Sequence, residues 1–115
     1  MSHSISKTSE GYDITLTRGD SLFLQIALKK NGETYNPEEG CRIRFAMKRK
    51  YSDPDTEVLL EKPIPLDTMI LEIEPEDTKP FPMGKTFVYD IEITDSHDHV
   101  DTFIKGNFTI DKEVK

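Results

Sequence analysis

Glu76 to Ile93 reads EDTKPFPMGKTFVYDIEI, a corner rich in turn residues followed by a strict alternation of apolar and polar side chains. Phe87, Tyr89, Ile91 and Ile93 fall on every second position, with Thr86, Val88, Asp90 and Glu92 between them. That spacing belongs to a half-buried antiparallel strand; a helix would scatter the same apolar residues around its axis.

A short polar stretch, Ser96-His97-Asp98-His99, separates this strand from a second run, Val100 to Asp111. The two should form a hairpin, with Val100, Thr102, Ile104, Gly106, Phe108 and Ile110 sharing the inner face. Paired residues must face the same side, so odd numbers in the first strand meet even numbers in the second. A register in which partner numbers sum to 195 sets Tyr89 opposite Gly106, Phe87 opposite Phe108 and Asp90 opposite Lys105. It lets an aromatic ring cover a strand glycine, a recognised stabilising device.

The same grammar recurs upstream. Tyr12, Ile14 and Leu16 alternate with polar residues until Arg18-Gly19-Asp20-Ser21 supplies a turn. Leu22, Leu24, Ile26 and Leu28 follow, then an Asn31-Gly32 reversal signal. Cys41, Ile43, Phe45 and Met47 should face inward, with Arg42, Arg44, Ala46 and Lys48 outward. A short strand from Val58 to Glu61, broken by Pro63 and Pro65, precedes Met69, Leu71 and Ile73. Prolines between the runs exclude long helices. The fold expected is all-β, an antiparallel two-sheet immunoglobulin-like β-sandwich of about seven strands; a small closed barrel is the competitor. At 115 residues it should be a single domain spanning 11–115, preceded by a flexible tail over 1–10, where Ser and Thr abound and no periodicity is visible.

Charge narrows the partners. With 22 acids against 15 bases the formal net charge is −7, which opposes capture of nucleic acid or of an anionic membrane surface. The basic cluster Arg42, Arg44, Lys48, Arg49 and Lys50 is expected to be a solvated face balanced by nearby acids. The single cysteine, Cys41, lies in an alternating run and reads as a small core residue. MSHSISKTSEGYD has no apolar signal region, and no stretch reaches the roughly 20 apolar residues of a membrane span. A protein made in the cytoplasm, without signal peptide or transmembrane segment, is expected.

No combination of residues announces catalysis: there is no phosphate-binding glycine loop, nucleophile elbow or Ser/Cys–His motif. The expectation is a non-enzyme with no catalytic residues, no cofactor and no metal. Asp95, His97, Asp98, His99 and Asp101 are the densest set of potential metal ligands, although exposed hairpin tips often hold such residues. Asp53, Asp55 and Glu57 resemble the start of a calcium loop but lack its later glycine and glutamate. Arg18-Gly19-Asp20 matches an adhesion tripeptide yet is also ordinary turn chemistry. Val88 and Phe103 break the polar pattern of the hairpin's outer face and are the candidate protein-contact residues.

Four segments together carry a family resemblance: ITLTRGD (Ile14 to Asp20), EDT (Glu76 to Thr78) with Pro82 and Gly84, FVYDI (Phe87 to Ile91) and TFIKGNFTI (Thr102 to Ile110). In this order they resemble small immunoglobulin-like structural proteins of tailed phages and prophages of Gram-positive bacteria, similar to the N-terminal domain of baseplate upper proteins. The likeness extends over residues 12–111. It implies a virion component, tail- or baseplate-associated, whose partners are other phage structural proteins and which can form a homo-oligomer. In longer relatives such a domain attaches to the particle while other domains meet the host; here the attaching domain alone is expected. The alternative is a ligand-binding module that takes cell-wall glycan or a divalent metal through loops at one end of the sandwich. The corner also resembles the E–F region of immunoglobulin domains, with Asp77, Gly84 and Tyr89 more widely spaced than in that pattern.

Overall fold

A computed structural model describes residues 3–9 and 11–112. Its strands are β1 (His3–Lys7), β2 (Tyr12–Thr17), β3 (Leu22–Gln25), β4 (Lys29–Lys30), β5 (Glu33–Thr34), β6 (Arg42–Lys48), β7 (Leu60–Ile64), β8 (Ile70–Ile73), β9 (Lys85–Thr94) and β10 (Val100–Asp111). A 3₁₀ turn covers Asp55–Glu57, and a single helical turn, α1, covers Pro75–Thr78. The chain is all-β, as the alternation requires.

The main sheet has six strands in the order β1-β2-β10-β9-β6-β7. It is mixed, because β2 runs parallel to β10 while its other pairs are antiparallel. This corrects the purely antiparallel expectation and the count of about seven strands. Local alternation carries no information about which distant strand lies alongside. Strands β3 and β8 pair with each other, and β4 and β5 form a hairpin. In that hairpin Asn31 (φ 54°) and Gly32 (φ 80°) both take the left-handed backbone that its two-residue turn demands.

The alternation of β6 and β9 converts directly into burial. Ile43, Phe45, Met47, Phe87, Tyr89, Ile91 and Ile93 are all buried, in one cluster with Leu22, Leu71 and Ile73 from β3 and β8. Phe45 stacks on Tyr89 with ring centroids 5.3 Å apart, and Phe108 meets Phe45 edge-on at 5.8 Å. Each such ring removed from water contributes about 1.5–3 kcal/mol. Ala46 was expected to face outward but is buried.

Strands β9 and β10 take the expected register from Lys85 to Ile91, with Tyr89 opposite Gly106, Phe87 opposite Phe108 and Asp90 opposite Lys105. Between Thr102 and Ile104 the register slips. This bulge places an extra residue, Phe103, in β10 and reverses the facing of everything beyond it. Thr102 therefore pairs with outward-facing Glu92, and Val100, expected inside, is 55% exposed.

Two further expectations are corrected. The tail is in part a strand: β1 pairs antiparallel with β2 from Leu16 to Tyr12, with Ile5 beside Ile14. Of the rest of the proposed tail, Thr8 and Ser9 are described outside any strand, and residues 1, 2 and 10 lie outside the described residues. Pro63 does not interrupt its strand but sits within β7, opposite Arg44. Strand β7 is an edge, the one place in a sheet where a missing backbone N–H is readily tolerated.

Candidate functional site

The segments that carry the family resemblance meet in space. Arg18, at the turn after β2, donates from Nε to the carbonyl of Phe81 at 2.9 Å and from its terminal nitrogen to the carbonyl of Lys79. The backbone N–H of Gly19 donates to Thr78 Oγ1 at 2.8 Å, and Thr78 is fully buried. Asp77 caps α1 by accepting the N–H of Glu74 at 2.7 Å and an ammonium hydrogen from Lys62 at 2.9 Å. The R-G-D and E-D-T segments are thus two halves of one structural joint. The Arg18 guanidinium is engaged by the chain's own carbonyls, so the tripeptide is explained without an external receptor.

The second joint lies where β2 begins. A Cβ on Gly106 would fall 2.0 Å from the carbonyl oxygen of Tyr12, so the backbones touch there. Tyr89, buried opposite Gly106, donates its hydroxyl hydrogen to that same oxygen at 2.5 Å. Burial, with Tyr51 and Asp13 nearby, pushes the Tyr89 phenol well above the ordinary range and keeps it a donor. Unlike the tyrosine of an immunoglobulin corner, whose hydroxyl bonds back to backbone a few residues upstream, Tyr89 reaches the backbone of β2.

On the outer face of β9 and β10, Tyr51 lies across the hairpin with its hydroxyl 3.0 Å from the carbonyl oxygens of both Tyr89 and Gly106. The Lys105 ammonium sits 5.5 Å from the centre of the Tyr51 ring. Tyr51, Asp90, Thr102, Phe103 and Lys105 border a shallow depression. Burial and the neighbouring Glu92 raise the Asp90 carboxyl above its usual range, with Arg44 and Lys48 opposing them. Arg44 bridges Glu61 and Glu92, reaching Glu92 at 2.7 Å, and Lys48 reaches Asp55 at 2.7 Å. Four of the five residues of the basic cluster meet acids: besides Arg44 and Lys48, Arg42 faces Asp98 and Arg49 faces Asp53.

Of the two candidate contact residues, Val88 lies on this outer face, half-buried, with Lys48 and Asn107 as its strand neighbours. Phe103 is also half-buried and borders the outer-face depression, but it sits at the bulge. The bulge turns it to stack on Tyr35, with ring centroids 5.2 Å apart, and it packs against the edge of the core. Phe103 is therefore shared between the core edge and the outer-face depression.

The hairpin tip uses its polar groups on itself. Asp95 accepts the backbone N–H groups of His97 at 2.8 Å and His99 at 2.9 Å, which hold its carboxyl below the usual range. Among the described residues no group of three or more His, Cys, Asp or Glu side chains is arranged to hold a metal ion. In the segment that resembles a calcium loop, Asp53 and Asp55 instead face Arg49 and Lys48. Cys41 is buried and free.

One feature was illegible in the sequence: an apolar cleft of about 270 Å³ between the β1 end of the main sheet and β3. Ile5, Tyr12, Leu24, Ala27 and Ile104 line it, and Ile5 and Tyr12 are about two-fifths exposed. The only available signal was one isoleucine among serines, too short to show a period. No family model, curated protein or solved structure matches the chain. Among the described residues no helix is long and apolar enough to cross a membrane.

Proposed function

We infer that this domain is a non-enzymatic structural part of a phage or prophage particle, tail- or baseplate-associated, and that it acts by rigid contact with other particle proteins. The observation that carries this is the convergence of the resembling segments. Arg18 and Gly19 lock onto Thr78, Lys79 and Phe81, and Tyr89 covers Gly106 and reaches Tyr12. Segments spread over the chain that build two shared joints support a common ancestral plan better than four separate pieces of turn grammar would.

The finer fold reading belongs to the same inference. On this reading strands β10-β9-β6-β7 correspond to G-F-C-C′ of an immunoglobulin variable domain, and β3-β8 to B-E of a second layer. The mutually packed aromatic trio Phe45, Tyr89 and Phe108 would then be the counterpart of the disulfide and tryptophan of antibody domains. Fold analogy alone does not assign a role. What favours contact is surface: the main sheet ends in open strands, and an apolar cleft adjoins one of them. The acidic surface argues against nucleic acid and membrane as partners.

The test is an immunoblot for the chain across a density gradient of particles induced from the source strain. Co-banding with intact particles, resistant to a high-salt wash, is expected. A chain that stays wholly at the top of the gradient overturns the reading.

A further inference from the structure

The two ends of the main sheet differ. At one end, β7 carries Pro63 and the charged pair Glu61 and Lys62, a combination that discourages strand addition. At the other, β1 reads His-Ser-Ile-Ser-Lys, with neither proline nor acid. Among the described residues β1 pairs with β2 alone, and Ser4 to Lys7 are exposed. In a chain of net charge −7, an acid-free edge is also where two copies approach with least repulsion.

The inner face points the same way. Ile5 lies beside Ile14, which is 3% exposed, whereas Ile5 itself is 41% exposed at the rim of the cleft. A sheet that ends on an exposed isoleucine beside an apolar opening is closed by more sheet with an apolar residue at the same level. A second copy supplies both.

We propose that two copies of this chain pair antiparallel through β1, forming one continuous sheet about a two-fold axis at Ile5. An isologous contact of this kind is self-complementary. Matching of faces requires partner numbers to sum to an even value. A sum of 10 joins His3 to Lys7, Ser4 to Ser6 and Ile5 to its own copy, using every residue of β1. Sums of 8 or 12 leave residues unpaired and set Ile5 against His3 or Lys7. Only the first lays isoleucine on isoleucine over the cleft. The inference deepens the contact reading above, and the two fail separately. A monomer found in particles overturns self-pairing alone, and a dimer absent from particles overturns the particle reading alone.

The test combines mass and register. Light scattering over a concentration series should show the chain growing toward twice its mass, and Ile5→Lys should stay at the single-chain mass with unchanged circular dichroism. Directly opposed residues have Cα atoms about 4.5–5.5 Å apart, within disulfide range. Ile5→Cys should therefore cross-link to a dimer under mild oxidation. Lys7→Cys should not, since its copies would lie about 13 Å apart at strand spacing. The natural chain, with Cys41 buried, is the control. A chain that remains single at every concentration, an Ile5→Lys variant that still dimerises, or Lys7→Cys cross-linking as readily as Ile5→Cys overturns the proposal.

Discussion

Gly106→Ala is expected to destabilise the domain by about 3 kcal/mol, against the usual direction for such a change. At a position of unstrained φ with free space, replacing glycine by alanine stabilises by about 0.4–1 kcal/mol, because the unfolded chain loses freedom. Gly106 is not in the left-handed region, so backbone strain does not enter. The added Cβ would instead sit 2.0 Å from the Tyr12 oxygen, 2.8 Å from its carbonyl carbon and 3.1 Å from Asp13 Oδ1. Backbone cannot swing aside as a side chain can, so the cost lies near the top of the ~1–3 kcal/mol range for overpacking. Moving Tyr12 also stretches the Tyr89 hydroxyl bond, a further loss of about 1 kcal/mol. For a domain of this size the melting temperature should fall by roughly 10 °C or more. Urea unfolding of the natural chain, Gly106→Ala, Tyr89→Phe and the double variant measures this directly. The double variant should cost about 1 kcal/mol less than the sum, since both changes break one bond. A Gly106→Ala protein as stable as the natural chain, or more so, would refute the reasoning.

Other outcomes are expected. Arg18→Ala removes a charged donor from two corner carbonyls and should cost about 1.5–3 kcal/mol in urea unfolding, with Arg18→Lys recovering only part; a loss under about 0.5 kcal/mol would count against the joint. Burial and Glu92 raise the folded-state Asp90 carboxyl, so its ionised form opposes folding at neutral pH. Asp90→Asn should accordingly be more stable than the natural chain at pH 7, and the gap should close as pH falls to the unfolded value near 3.8; thermal melts that show no such convergence would contradict this. Asp95 has the opposite sign: its hydrogen bonds from His99 and His97 stabilise the tip above the unfolded carboxylate value and are lost as pH falls below it. The His97 and His99 amide resonances should therefore titrate with a midpoint under 3.8, and a higher midpoint would refute the assignment.

How far the sequence discloses this molecule depends on which residues mark their own environment. The β9 alternation is legible because Phe87, Tyr89, Ile91 and Ile93 have no polar exception, and every one of them is buried. The pairing of Tyr89 with Gly106 is legible in part: an aromatic ring is expected over the glycine, but a register two residues away would set Phe87 there, and the structure takes the one with Tyr89. Val100 misleads for the same reason that β9 does not: a bulge inserts one residue without any compositional mark, and alternation read across it inverts. Strand β1 is hidden because its stabilising contact is with β2 and its own composition is polar. The parallel partnership of β2 and β10 joins Ile14 to Phe108, a separation at which local pattern has nothing to say. Of the candidate contact pair, Val88 stands on the face expected of it, while the cleft beside Ile5 could be found only once distant strands had been placed.

Lysine cross-linking with mass spectrometry on gradient-banded particles tests the central claim most directly, because it reads contact and partner together. Lys105 and Lys48 on the outer face are the reporting residues. The account predicts links from these lysines to another particle protein, at a constant ratio across preparations. Particles that lack the chain, or that yield only links within it, would contradict the account.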